Sequence, residues 1–234
     1  MMCSIVMAAY NKGPLLDKVL ASIRAQTPPF DYELIVVNDG SDDETEEVCD
    51  RYGVEYTYLD RPGYTSPTVS RNVGYRMARG EIVIAQSADT YHSGYDVIER
   101  LCDIAPRTFN IATVKALGRG GLCESYYTGL MNQRPFFFLG SLYRKDLYAI
   151  GGDDEEFDVL GCDDDWFADR LLNGRGLKPV YRDDIVGCHQ WHDRPIEHWD
   201  NQFHRAQEIL RNKRNEAKST GEWFAAGGPW SLTA

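Results

Sequence analysis

The sequence holds its chemistry-bearing side chains in three main places. The first is Glu81 to Thr90, EIVIAQSADT, an apolar run that reads as a buried strand and ends on a single carboxylate, Asp89. In an open α/β sheet ligands gather outside the carboxyl ends of the strands, so an acid there can hold a divalent metal, and the metal a diphosphate. The same acid can instead cap the turn Thr90 to Gly94. The second place is Leu160 to Arg175, LGCDDDWFADRLLNGR, where Asp163, Asp164 and Asp165 open an amphipathic helix carried by Trp166, Phe167, Leu171 and Leu172. Capping and the helix macrodipole account for one or two acids in a first turn. A third like charge costs energy unless a substrate or cation uses it. The third place is His189-Gln190-Trp191-His192, where two histidines at i, i+3 are either ordinary polar residues or neutral imidazoles for a metal.

These side chains need a frame, and the pattern supplies one. Cys3 to Ala9 reads as a strand, the apolar positions Leu15, Leu16, Val19, Leu20 and Ile23 as a returning helix, and Glu33 to Val37 as a second strand. That strand runs into Asn38-Asp39-Gly40-Ser41-Asp42-Asp43, which leaves Asp39 at its end, gives Gly40 to a tight turn and offers Ser41 or Asp42 as a helix cap. A helix over 44–52 and a strand over 54–59 make another crossover, so the spacing predicts a right-handed, mostly parallel α/β sheet. A helix over 66–79 carries Arg71, a solvated arginine or a phosphate or ribose contact, and Gly80 is expected to cap it. Tyr95 to Ile104 is expected to be helical and Phe109 to Val114 a strand. Lys115 to Gln133, with four glycines and little periodicity, is expected to be a long mobile loop or lid. Phe136 to Tyr143 reads as a strand, with Gly140 marking a close approach. A short helix stops at Gly151-Gly152, two short strands cover 177–181 and 185–188, and a charged helix spans 196–217 before a C-terminal arm.

A chain of 234 residues, 43% apolar and 26% charged, fits a soluble α/β domain over 1–195 with an extension over 196–234. The formal charge of −11 argues against broad attraction to nucleic acid or anionic lipid. No apolar run reaches the roughly 20 residues of a spanning helix, and the N-terminus leaves no room for a signal peptide. Six scattered cysteines without a C-x-x-C pair point to a reducing cytoplasm.

Across residues 3–195 the chain resembles the GT-A glycosyltransferases, most closely the inverting enzymes of family 2. The resemblance rests on MAAYNKGPLLDKVLASIRAQT, ELIVVNDGSDDET, SRNVGYRMARGEIVIAQSADT, IGGDDEEF and GCDDDWFADRL, five stretches in the family's order. It implies a single Rossmann-like domain, with a nucleotide-binding half over about 1–92 and an acceptor-binding half over about 93–195. It implies that Ala8, Ala9 and Tyr10 line the nucleotide pocket with Ser87 and Ala88, that Asp39 reads a base, most often uracil, and that Arg71 lies near ribose or phosphates. Asp89 takes the place of the last acid of the D-x-D motif that binds Mn²⁺ or Mg²⁺, Asp164 that of the catalytic base within an Asp163-Asp164 pair, and His189 or His192 completes the metal site. The donor implied is a nucleotide sugar, above all a UDP-sugar, and the acceptor a hydroxyl on a glycan, lipid, protein or modified nucleic acid. One departure stands out: Ser87 replaces the first acid of D-x-D, which removes a charge and weakens the expected metal affinity.

The physical scheme implied is a single displacement with inversion, in which a cation offsets charge on the leaving diphosphate and a carboxylate deprotonates the acceptor hydroxyl. Two alternatives stand beside it. A nucleotidyltransferase would use a similar sheet, but AAYNKGPLL lacks the glycine-rich phosphate cradle. A non-catalytic nucleotide-sugar-binding protein would be compatible with Ser87.

Overall fold

The computed structural model describes residues 3–61, 66–193 and 199–232. In chain order the elements are β1 (Cys3–Ala9), α1 (Gly13–Arg24), β2 (Tyr32–Asn38), α2 (Thr45–Arg51), β3 (Glu55–Tyr58), α3 (Thr68–Met77), β4 (Ile82–Gln86) and β5 (Thr90–His92). There follow α4 (Val97–Leu101), β6 (Thr108–Leu117), β7 (Cys123–Thr128), β8 (Leu139–Tyr143), α5 (Arg144–Ala149), α6 (Asp163–Asp169), a π-helical turn (Arg170–Gly174), β9 (Lys178–His189) and α7 (Trp199–Thr220).

All nine strands form one sheet in the order β3-β2-β1-β4-β8-β6-β9-β5, with β7 paired to β6. The strands β3, β2, β1 and β4 are mutually parallel, β8 is antiparallel to both β4 and β6, and β9 is parallel to β6. Hence β1, β2, β3, β4, β6 and β9 run one way and present their carboxyl ends on one side, as the sequence leads one to expect.

Alternation along the strands makes two cores. Ile5 and Met7 of β1, Leu34 and Val36 of β2, and Ile82 and Ile84 of β4 face α1, whose Leu16, Val19, Leu20 and Ile23 are fully buried. The intervening Val6, Ile35, Val37, Val83 and Ala85 face Tyr75 and Ala78 at the end of α3. Each such aliphatic side chain contributes about 1.5–3 kcal/mol relative to exposure, so the inward pattern fixes register. A Cβ on Gly74 would lie 2.5 Å from Val6 and 3.2 Å from Val37, so α3 sits closer to the sheet than any larger residue permits. A third core joins Phe157, Cys162 and Trp166 to Ala206, Leu210 and Ala217 of α7.

Several expectations are corrected. The segment from Lys115 to Gln133 is no open loop: β6 continues to Leu117, a turn over 118–122 follows, and β7 returns antiparallel with bulges after Val114 and Ala116. Those bulges break the period-two pattern that would have announced a hairpin. The two short strands near the C-terminus are one strand, β9, from which residues 183–185 are looped out between Arg182 and Val186 opposite β6. Gly80 does not cap α3, which ends on Ala78. It instead lets the chain pass Cys3 and Ser4, whose backbone a Cβ would meet at 2.6–2.7 Å. Ahead of α2 it is Asp43 that accepts from the Thr45 N–H, rather than Ser41 or Asp42. No helix among the described residues is long and apolar enough to cross a membrane.

Candidate active site

The carboxyl ends of β1, β2 and β4 carry Ala8 to Tyr10, Asp39 and Ser87 to Asp89. The Asp39 N–H donates to the Ala9 carbonyl at 2.8 Å, placing its side chain beside β1. That carboxylate is buried and held by Arg61 Nε at 2.9 Å and by the Ser70 hydroxyl at 3.1 Å. Burial raises its pKa while Arg61 and Ser70 oppose the rise. The loops after β1 and β2 are stitched together, since the Asn11 N–H donates to Ser41 Oγ and the Asp42 N–H to Asn11 Oδ1, both at 2.9 Å. Ala9 and Ala88 belong to the core beneath this rim, so a ligand reaches them only through their backbones, whereas Ala8, Tyr10 and Ser87 are half-buried.

Asp89 does not cap a turn. The residues after it form β5, which pairs antiparallel with β9 so that Thr90 faces His189. This pairing brings His189 Nε2 to 3.2 Å from Asp89 Oδ1, while His192 Nε2 and Lys12 Nζ each lie 3.1 Å from Oδ2. Burial alone would raise the Asp89 pKa, but the hydrogen bond with His192 and the charges of His189 and Lys12 hold it well below the usual carboxylate range. Burial lowers the His189 pKa against the pull of Asp89, which favours the neutral ring that metals bind. The His192 Nδ1 lies 2.8 Å from the Asp193 carbonyl, and its Nε2 faces Asp89. Tyr127 and Phe138 meet the His189 ring edge-on, with centroids at 4.8 and 5.7 Å.

The Asp89, His189 and His192 ligand atoms all lie within 4.8 Å of one another. Asp89 Oδ1 is buried without a well-formed hydrogen bond, a defect that a cation would remove. One carboxylate and two imidazoles make a mixed oxygen and nitrogen donor set of the kind that can hold a divalent cation.

On α3, next to Ser70, Arg71 reaches the other acidic group. Its Nη1 lies 3.1 Å from Asp163, 3.5 Å from Asp164 and 3.9 Å from Asp153. Consecutive residues of one helix therefore hold Asp39 on one side and the Asp163–Asp164 pair on the other. Among the three acids on Arg71, the Asp164 side chain is the most accessible, at 21% against 8% and 2%. Burial and the charge of Asp163 push its pKa up to about 7, against the pull of Arg71. Asp153 is raised to about 6, chiefly by burial.

Residues 4–153 match the family described as Glycosyl transferase family 2. The chain belongs to that family. Among curated relatives, the validoxylamine A glucosyltransferase of Streptomyces hygroscopicus subsp. limoneus is 35% identical over 85 residues, 34% of this chain and 18% of its own. The dolichyl-phosphate beta-glucosyltransferase ALG5A of Trichomonas vaginalis is 32% identical over 123 residues, 47% of this chain and 38% of its own. The chain thus spans between 18% and 38% of these relatives' lengths. Among solved structures, the mannosyltransferase PcManGT of Pyrobaculum calidifontis, in complex with GDP-Man and Mn²⁺, superposes with a TM-score of 0.65 at 21% identity, covering 92% of this chain and 64% of that one. S. aureus TarS 1-349 in complex with UDP-GlcNAc gives 0.65 at 17% identity, over 90% and 65%. These likenesses establish the GT-A fold.

In this family 2 chain the acidic pair is braced from behind. Cys162, at φ 63°, and Gly161, at φ 101°, turn the chain into α6. Buried Arg170, in the π-helical turn, donates to the carbonyls of Ile150 at 2.8 Å and Gly152 at 2.6 Å. Asn72 and Asp153 exchange hydrogen bonds at 2.9 and 2.7 Å. Lys213 of α7 grips Asp154 at 3.0 Å and Glu156 at 2.6 Å. Trp166, on the apolar face of the helix after the acids, is core and donates to Asp154 at 2.9 Å. No role for Lys12, Arg61, Ser70, Asp153 or Arg170 was read from the sequence, although all but Arg61 lie within the stretches that carry the resemblance. Of these, Lys12 had a hint, because it lies in the turn after the first strand.

Proposed function

We propose that this chain transfers a sugar from a nucleoside diphosphate sugar, a UDP-sugar by preference, to an acceptor hydroxyl with inversion. The observation that carries the reading is the convergence of Asp89, His189 and His192 at the carboxyl ends of the sheet. It is supported by α3, which joins the Asp39 end of that rim to Asp164. In this scheme the half over about 1–92 binds nucleotide, the half over about 93–195 binds acceptor, and 196–234 is a C-terminal helix and tail. All six cysteines are free, in keeping with a reducing compartment.

Asp39 and the backbone of Ala8 to Tyr10 take the base and ribose, with Ser87 and Ala88 beside them. Arg71 serves by fixing Asp163 and Asp164, and the ribose or phosphates lie within reach of its exposed edge. Asp89, His189 and His192 would hold Mn²⁺ or Mg²⁺, which when bound offsets charge on the departing diphosphate as a Lewis acid. Asp164 accepts the acceptor's hydroxyl proton, a step for which a pKa near the working pH is well matched. Asp163 stays on Arg71 and directs its neighbour.

Thermal melts with UDP-, GDP- and TDP-sugars, followed by turnover with the stabilising donor, test the reading, because a ligand of the folded state raises Tm by mass action. Asp164→Asn is expected to keep donor binding and to lose on the order of 10²-fold or more in turnover. Stabilisation without turnover by wild type across an acceptor panel would favour the non-catalytic binding protein. Turnover of Asp164→Asn at the wild-type rate would remove the base assignment.

A further inference from the structure

Lys12 has no part in the scheme so far, yet it sits on the acid at the centre of it. Among the described residues it is the lone Lys or Arg within 4.0 Å of Asp89, with Nζ 3.1 Å from Oδ2. Its backbone is fixed: the carbonyl accepts from the N–H groups of Leu15 and Leu16 at 2.9 and 2.7 Å, and its own N–H donates to Thr45 Oγ1 at 3.3 Å. Only the four-carbon stem is left to move, and it is a flexible carrier of a point charge. Charge at the end of β4 is also small. Ser87 brings none, so the carboxylate charge of Ser87-Ala88-Asp89 is a single unit, and Lys12 cancels it. A divalent ion arriving alone would meet an already neutralised carboxylate and a resident ammonium that repels it. A metal arriving with a diphosphate brings its own anion, to which the ammonium can turn.

We propose that Lys12 is a tethered cation that neutralises Asp89 in the nucleotide-free protein, competes with a divalent ion there, and moves to the donor's diphosphate when metal and nucleotide enter together. The proposal rests on the donor reading above for its second half only. Its first half concerns Asp89 and the ion alone. The two halves make metal binding depend on nucleotide, so that Mn²⁺ binds weakly to the free protein and strongly to the nucleotide-loaded one.

Calorimetry on the full chain tests this with Mn²⁺ alone and, separately, with UDP in EDTA. Lys12→Met, which keeps the length of the stem, is expected to bind Mn²⁺ about tenfold more tightly than wild type and UDP in EDTA about tenfold more weakly, the scale of one charge-assisted contact. Lys12→Arg is expected to stay near wild type with Mn²⁺. Melting curves verify folding, and Lys12→Gln repeats both titrations if the Met variant melts below the assay temperature. Mn²⁺ affinity of the neutral variants within about twofold of wild type would overturn the competition, and unchanged UDP affinity in EDTA would overturn the move to phosphate. Failure of UDP to bind wild type with or without Mn²⁺ would sink the uridine reading instead, while the Mn²⁺ titration would still decide the competition at Asp89.

Discussion

At the scale of the residue, Asp164 is set by a contest. Burial and the neighbouring charge of Asp163 disfavour its ionised form, and Arg71 at 3.5 Å recovers only part of that loss, leaving the pKa at about 7. A base must be ionised to act, so kcat/KM is expected to fall as pH drops through about 7, and a pH–rate profile flat down to pH 5 would contradict the assignment. The linkage to stability has a definite sign. A folded pKa above the ordinary 3.8 means that the native chain holds a proton the unfolded chain has released. Stability from this group is therefore full below about pH 4 and lost as pH rises through about 7. Asp164→Asn, which cannot ionise, is expected to melt a few degrees above wild type at pH 8 and level with it at pH 4. An equal Tm difference at both values would mean that the carboxyl is not destabilised by its surroundings. The acids themselves were legible, because a carboxylate straight after an apolar run has few structural uses. Their partners were not. Arg61, Ser70 and Asp153 reach their places through crossovers whose lateral positions leave no local mark in the sequence.

At the scale of the element, most helices and strands follow from periodicity, and the misses share a cause. β5 is three residues long and β7 is paired to a bulged partner, so neither shows the alternation by which strands are read. Both matter to the site. β5 sets Asp89 beside His189, and β7 brings Tyr127 onto the ring of that histidine and, stacked at 4.8 Å, onto Phe138. The stretch read as a mobile lid is thus a wall. Tyr127→Ala should leave the sheet intact but free the imidazole to rotate. Loss of a group that orients a ligand costs roughly 10–100-fold in metal affinity, so Mn²⁺ binding to the nucleotide-loaded variant is expected to weaken by about tenfold. Circular dichroism with a native melt, together with wild-type Mn²⁺ affinity, would show that the ring is held by other means.

At the scale of the whole molecule, the C-terminal extension packs against the segment that leads into the acidic pair. After α7 the chain returns to the far end of α5, where the Ala225 N–H donates to the Ile150 carbonyl and the Trp230 N–H to the Tyr148 carbonyl, both at 2.8 Å. The Trp230 ring lies against Tyr148 at 5.3 Å and under Arg76 at 4.1 Å. It also covers Gly152 so closely that a Cβ there would fall 2.2 Å from the indole, and Gly152, at φ 68°, holds a left-handed backbone that favours glycine. The next residue is Asp153, which shares Arg71 with Asp164. Trp230→Ala, at a half-buried position, is expected to cost about 1–3 kcal/mol and lower Tm accordingly. The same change should loosen the Gly151–Gly152 turn and the grip on Arg71, while the Asp89, His189 and His192 cluster beside β5 and β9 is untouched. Turnover is therefore expected to fall by about tenfold, the scale of a positioning loss, with nucleotide affinity near wild type. Unchanged turnover below the new Tm would mean that the tail stabilises the fold without reaching the acids. Parallel loss of nucleotide affinity would mean that the tail braces the entire rim rather than the Asp164 side of it.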